Sequence, residues 1–257
     1  MKQAARFALL LFLCFACRSP ETEKRTESAA RPAPVEESDV AARTPAPSGR
    51  PRVIWLGLDG LDWEILDRLA ADGKMPNWRR LSSEGWSARL RSFFPLISPI
   101  LWTSAATGTP PDLHRVLDFQ EVDPKTGGKV PISGNSRAVP AVWNLVSSAG
   151  RTVGVVGWWA THPAEEVNGF FVSDHSSPIF FEKLPLAGAA FPATLESGVG
   201  HVVARDGRID DEDLRRFLDP GDVKAGPLSR VLAATRVTQR IARDLYDRER
   251  PNLIALY

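Results

Sequence analysis

From residue 51 to residue 257, short apolar runs alternate with stretches in which apolar residues recur three or four positions apart. Strands buried on both faces are predicted for three runs rich in β-branched and aromatic residues, at 53–58, 152–158 and 252–257. Shorter strands are predicted at 88–94 and 170–173. Helices are predicted at 62–71, 77–83, 99–106, 141–148 and 228–246. This alternation favours an α/β fold with a mostly parallel sheet flanked by helices, whose ligands gather at the carboxyl ends of the strands.

The first residues have the pattern of an export signal. Lys2 and Arg6 precede an unbroken apolar run at 7–16, which is too short to span a bilayer. The run ends at Cys17 in a sequence that resembles a bacterial lipobox, although Cys14 stands where leucine is usual. We therefore expect a signal peptide at 1–17 with lipidation of Cys17. The alternative is an ordinary cleaved signal peptide with an incidental cysteine.

Residues 18–50 have a composition that does not support a folded core. The segment contains no aromatic residue, leucine or isoleucine, so it buries too little apolar surface to offset the entropy lost on ordering. We predict a disordered tether at 18–50 and a folded domain at 51–257. Acyl chains on Cys17 would anchor the exported protein to a bacterial membrane, with the domain facing the periplasm or the exterior.

Charge and cysteine content exclude two classes of site. The net charge is +1, which provides no basic patch for nucleic acid. Both cysteines lie in the first 17 residues, so the predicted domain has neither a disulfide nor a thiolate metal site.

Two positions in the first part of the domain are candidates for phosphoryl-transfer chemistry. Asp59 follows the first strand, where a carboxylate can coordinate a divalent cation, but an Asx turn or a cap of the next helix is an alternative. Ser98 precedes Pro99 at a predicted helix start, where backbone N–H groups favour an anion and a hydroxyl could attack phosphorus. A plain N-cap is the alternative for Ser98.

The joint spacing of these positions resembles that of a known family. Asp59-Gly60 ends an apolar strand, Ser98 stands nine residues before Thr107-Gly108, and His114 follows that glycine by six. The segment 139–175 is also similar to stretches in bacterial relatives. The chain from about residue 52 onward thus resembles the alkaline phosphatase superfamily, in its branch of type I phosphodiesterases and nucleotide pyrophosphatases. The chain departs from the pattern at Arg115, where the family has glycine.

The resemblance implies a metal-dependent hydrolase of phosphoric esters with an alkaline phosphatase-like fold. It implies two divalent cations, usually zinc, with Asp59 as a ligand and Ser98 as both nucleophile and ligand. The implied substrate is a small phosphate ester or a nucleotide-like molecule.

The resemblance also implies further Asp and His ligands after a strand like 252–257, with which this sequence ends. We therefore expect a fold that is incomplete at its C-terminus and that holds few or no cations stably by itself. The preferred interpretation is a fragment of a longer hydrolase, and the alternative is a truncated, non-catalytic exported binding module. With later strands missing, an apolar sheet edge would be exposed, so we expect residues 51–257 alone to be poorly soluble.

Overall fold

The computed structural model describes residues 52–177, 186–219 and 221–257. The predictions for the signal at 1–17, for Cys17 and for the tether at 18–50 lie outside these residues. Within the described ranges, no helix has both the length and the apolar character needed to cross a membrane.

The described residues form a five-stranded sheet in which the order in space differs from the order in the chain. Its strands are β1 (Val53–Leu56), β4 (Val153–Val156), β5 (Gly169–Val172), β6 (Ala190–Phe191) and β7 (Leu253–Leu256), arranged β1-β7-β4-β5-β6. The neighbours from β1 to β5 are parallel, and β6 is antiparallel to β5. The carboxyl ends of β1, β7, β4 and β5 therefore share one edge of the sheet.

Eight α-helices occur in the described ranges. They are α1 (Trp63–Ala71), α2 (Pro76–Glu84), α3 (Ser98–Thr107), α4 (Pro111–His114), α5 (Val142–Ser148), α6 (Glu196–Asp206), α7 (Asp211–Leu214) and α8 (Ala225–Glu249). The sheet with its flanking helices confirms the predicted mostly parallel α/β fold.

The sheet separates two cores, because successive side chains of a strand point to opposite faces. On one face, Val153, Val155 and Phe171 pack with Trp143 of α5 and Trp158. On the other face the core consists of β-strand residues and the buried sides of α6 and α8, namely Val156, Phe170, Val172, Ala190, Val199, Val237, Ile241, Ala242, Leu245 and Ile254. Both faces of β4 and β5 are thus covered, as expected for parallel strands.

Strand β1 lies at the edge of the sheet and is much less covered. More than half of the surface of Val53, Ile54 and Leu56 is exposed. Helix α1 packs against α2 through Trp63 and Trp78, whose ring centroids are 6.0 Å apart. Strand β1 therefore presents apolar side chains and one unpaired backbone edge among the described residues.

The predicted strand at 88–94 is wrong, and a hairpin was missed. Residues 86–92 have no regular structure, and Leu90 is 96% exposed, because alternating polarity makes no strand without a neighbouring strand to pair with. The missed hairpin joins β2 (Gln120–Val122) to antiparallel β3 (Lys129–Pro131). The intervening turn carries the local signal, because Asp123 caps Lys125 N–H and Gly127 has a positive φ of 68°.

A polar network fastens α5 to the segment that follows β4. The Glu165 carboxylate accepts two hydrogen bonds of 2.9 Å from Arg137, one of 2.7 Å from Asn144 Nδ2 and one of 3.3 Å from Trp143 Nε1. The side chain of Arg137 is only 8% exposed, so Glu165 supplies the counter-charge of a nearly buried guanidinium.

Candidate active site

Asp59 lies just beyond the end of β1, at the edge where ligands gather in parallel sheets. Its Oδ2 accepts a hydrogen bond of 2.9 Å from the hydroxyl of Tyr257, which follows β7 directly. The cap of α1 is Asp62, whose carboxylate accepts from the N–H groups of Glu64 and Ile65. Asp59 is therefore not the helix cap that its position in the sequence allowed.

A close approach of two aromatic rings to β1 fixes the position of Tyr257. The rings of Tyr257 and Trp102 meet edge to face, with centroids 4.7 Å apart. A Cβ atom at Gly57 would lie 2.9 Å from Trp102 and 3.2 Å from Tyr257, so glycine provides the space in which the two rings pack. Burial, and then the charge of Asp59, raise the pKa of Tyr257 above its ordinary value, which keeps the phenol protonated as a donor.

Ser98 is the first residue of α3 and not its N-cap. Ile97 occupies the cap position with extended backbone angles, and no side chain caps the helix. The first N–H groups of a helix have no partner inside the helix, and the helix dipole favours negative charge beside them. Ser98 lies one turn before Trp102 on α3, so both side chains lie on the same side of the helix. The Trp102–Tyr257 contact thus joins the face of α3 that carries Ser98 to the partner of Asp59.

His114 links two helices of the fold. It is fully buried. Its Nδ1 accepts from Val116 N–H at 3.1 Å, so Nε2 carries the proton and donates to Ser104 Oγ at 2.8 Å. Burial lowers the pKa of His114, which agrees with a neutral ring. Ser104, a second serine of α3, is thereby engaged in holding α4 against α3.

The replacement of glycine by arginine after His114 has a visible consequence. Arg115 has a φ of 65°, in the left-handed region that glycine occupies without steric cost. The backbone conformation of this position therefore suits the glycine of the family pattern, and Arg115 adopts it with strain.

A second polar cluster lies beyond β4 and β5 at the same edge of the sheet. Asp174 Oδ2 accepts from Ala160 N–H at 3.0 Å, and Oδ1 accepts from Thr161 N–H at 3.3 Å. Burial raises the pKa of Asp174 to about 6 despite these hydrogen bonds. This carboxylate therefore organises the loop after β4.

The rings of His162 and His175 stack in parallel beside that loop, with centroids 3.5 Å apart. Burial, and then the neighbouring His162, lower the pKa of His175 to about 4. Burial also lowers the pKa of His162, and Ser173 Oγ lies 3.3 Å from His162 Nδ1. The sequence showed no histidine pair because these residues come together only through the pairing of β4 and β5.

The donor atoms of Asp59 and Ser98 fit a divalent cation. Carboxylate and hydroxyl oxygens are hard ligands, and Oδ1 of Asp59 has no hydrogen bond to the described residues. Within residues 52–177, 186–219 and 221–257, no group of three or more His, Cys, Asp or Glu side chains is close enough to hold a metal ion. Asp59 and Ser98 are thus candidate ligands, and the described residues form no complete metal site.

Sequence reasoning proposed Asp59 and Ser98 as site residues but did not identify Tyr257, the hydrogen-bond partner of Asp59. The only signal was that an apolar strand ends in a tyrosine, and its meaning depends on which strand lies beside β1.

Of the tryptophans at 158 and 159, Trp158 is fully buried and donates Nε1–H to Trp102 O at 3.2 Å. Trp159 lies nearer the surface, between Phe119 and Tyr257.

Three comparisons with known proteins were made. Residues 53–257 match the sequence model of a family described as type I phosphodiesterase / nucleotide pyrophosphatase. A search of curated proteins found no significant match.

Among solved structures, one similar chain is phosphonoacetate hydrolase from Sinorhizobium meliloti 1021 in complex with phosphonoacetate. It is 29% identical with a TM-score of 0.38, and the match covers 42% of this chain and 26% of that one. The same hydrolase in complex with phosphonoformate is 19% identical with a TM-score of 0.40, and the match covers 74% of this chain and 53% of that one. The chain therefore spans about half, or less, of the structures that it matches.

Proposed function

The chain belongs to the type I phosphodiesterase/nucleotide pyrophosphatase family, and from this premise we propose that it acts as a metal-dependent phosphoric ester hydrolase with Ser98 as nucleophile. The observation that supports the proposal is the arrangement of Asp59 and Ser98. Neither residue caps a helix, and Trp102 and Tyr257 connect the two across the end of β1.

The proposed reaction begins at the N-terminus of α3. The first-turn N–H groups of α3 bind a non-bridging oxygen of the phosphate. Ser98 Oγ loses its proton and attacks phosphorus, the bond from phosphorus to the leaving oxygen breaks, that oxygen takes up a proton, and a phosphoryl group remains on Ser98. Attack of water on this phosphoserine then releases phosphate, or a phosphomonoester when the substrate is a diester, and regenerates the serine hydroxyl.

Asp59 and Ser98 would hold a cation shared with the reacting oxygen. Two divalent cations, zinc being the ions usual in the family, would stabilise the attacking and leaving oxygens. Asp59 contributes one carboxylate oxygen, and its orientation depends on Tyr257. The remaining ligands of the proposed pair are not among the described residues.

The proposed substrate is a small phosphate ester or a nucleotide-like molecule, reached outside the cytoplasm. Cys17 would carry the lipid anchor, and residues 18–50 would hold the domain away from the membrane. A Cys17→Ser variant of the full chain should lose fatty-acid labelling and leave the membrane fraction. Unchanged labelling would contradict the anchor.

Hydrolysis of p-nitrophenyl esters tests the nucleophile. The full chain, supplied with zinc, manganese or cobalt ions, is assayed with p-nitrophenyl phosphate and bis-p-nitrophenyl phosphate. Ser98→Ala should abolish turnover and phosphoserine formation. Ser104→Ala is the matched control, and it should lower stability while phosphorylation at Ser98 persists, because Ser104 Oγ is held by His114.

The alternative function, a non-catalytic exported binding module, makes the opposite prediction. It expects no bound metal and identical behaviour of wild type and Ser98→Ala. Absence of Ser98-dependent hydrolysis with all three metals, when the further Asp and His ligands that the resemblance implies are also present, would overturn the hydrolase proposal in favour of this module.

A further inference from the structure

The link between Tyr257 and Asp59 joins residues 198 positions apart through the ends of two adjacent strands. Parallel pairing places Leu56 opposite Leu256, so Tyr257 follows β7 where Gly57 follows β1. Asp59 is exposed, and the hydroxyl of Tyr257 is the group that its side chain contacts by a hydrogen bond among the described residues.

Tyr257 is held much more firmly than Asp59. Its ring packs against Trp102 at a centroid distance of 4.7 Å, and Trp102 O in turn accepts from the buried Trp158 at 3.2 Å. Gly57 leaves the space for this packing. The hydroxyl is therefore a donor that the core fixes in place beside a carboxylate on a loop.

We propose that Tyr257 is a positioning residue for Asp59: it occupies Oδ2 and thereby directs Oδ1 toward the cation. This role rests on the proposed function, in which Asp59 is a metal ligand. Hydrogen bonds to the far side of a ligating side chain fix its orientation and strengthen metal binding.

The contact itself can be tested without any metal. The chain contains two tyrosines, Tyr246 and Tyr257, so a Tyr246→Phe variant leaves a single phenol. Its ultraviolet resonance Raman doublet should report a strong hydrogen-bond donor, and adding Asp59→Ala should shift the doublet toward that of a phenol in water. An unchanged doublet would overturn the contact and the proposal, whatever the enzyme does.

The effect on the ligand is measured by titrating the full chain with Co²⁺ and following its visible absorption. Tyr257→Phe should weaken cobalt binding by about 10- to 100-fold. Tyr246→Phe is the matched control, and it should bind cobalt as the wild type does, since the Tyr246 ring contacts the Arg250 guanidinium, away from the site.

The outcomes separate this proposal from the proposed function. Equal cobalt affinity in wild type and Tyr257→Phe would overturn the positioning role, even if Tyr257→Phe melts at a lower temperature. A wild-type chain whose cobalt binding does not depend on Asp59 would instead refute the metal site of the proposed function, and the cation-positioning role with it.

Discussion

The carboxylate of Glu165 should contribute more to stability than any surface ion pair, and a single isosteric change tests this. Glu165→Gln removes the charge that faces Arg137, whose side chain is 8% exposed. Removing one partner of a buried ion pair typically costs about 3–5 kcal/mol. Glu165 itself is 20% exposed, so water reaches the site, and the glutamine oxygen keeps part of the hydrogen bonding. We therefore expect a loss of about 2 kcal/mol in the free energy of unfolding.

Urea unfolding followed by circular dichroism measures this loss, and thermal unfolding should show a decrease in Tm of roughly 4–8 °C for a domain of this size. Asp247→Asn is the control, because it weakens an ion pair of similar length, 3.0 Å to Arg250, in which both side chains are about half exposed. That variant should lose less than about 0.5 kcal/mol.

A double variant with Arg137→Met makes the test specific to the pair. The combined loss should be smaller than the sum of the single losses by at least about 1 kcal/mol, because neither partner is then left alone. The reasoning from burial is refuted if Glu165→Gln loses no more free energy of unfolding than Asp247→Asn does. It is also refuted if the losses from Glu165→Gln and Arg137→Met are additive.

Three further predictions concern other parts of the fold. The pKa of Asp174 in the folded state, about 6, exceeds its ordinary value of 3.8, so the folded state binds more protons between these values and stability falls as pH rises through them. Compared with Asp174→Asn in urea unfolding, the wild type should lose up to about 3 kcal/mol in the free energy of unfolding from pH 4 to pH 7. A difference between the two proteins that stays constant with pH would contradict this. Arg115→Gly should raise the free energy of unfolding by about 0.5–1 kcal/mol, because it relieves the strain of a left-handed backbone conformation. The control is Arg151→Gly, at an exposed position without a positive φ, which should lower the free energy of unfolding in the same assay. Residues 51–257 alone should self-associate through the exposed side of β1, which sedimentation velocity would detect. Ile54→Lys should reduce this self-association. A wild-type domain that is monomeric and melts cooperatively would show that the exposed strand edge does not cause association.

The sequence was most informative where the local pattern decides the structure. Buried strands such as β4 carry their own signal, since residues 153–156 are apolar on both faces and covered on both faces. The second half of α8 likewise follows from apolar residues on one side, of which the helix buries Ile241, Ala242 and Leu245. In these segments, the apolar positions of the sequence pattern are the positions that the fold buries.

Prediction failed where the outcome depends on a distant partner. The alternation at 88–94 resembles that of a strand, but no strand of the described residues pairs with it. The stacked His162 and His175 and the Glu165 network likewise depend on how β4, β5 and α5 meet, which spacing along the chain does not encode. Asp59 and Ser98 are candidates because a family pattern fixes their spacing, whereas the contact of Tyr257 with Asp59 follows from the strand order.

That strand order makes the candidate site dependent on β7. Strand β7 is late in the chain yet lies between β1 and β4, and it pairs with both along four residues each. Until β7 is in place, β1 has no neighbour among the described strands, and Asp59 lacks the Tyr257 donor that contacts its carboxylate. Contacts between residues this far apart in sequence carry a large loop-closure cost and form late in folding. The position of Asp59 is therefore a property of the assembled sheet, although the residue itself lies in the first turn after the first strand.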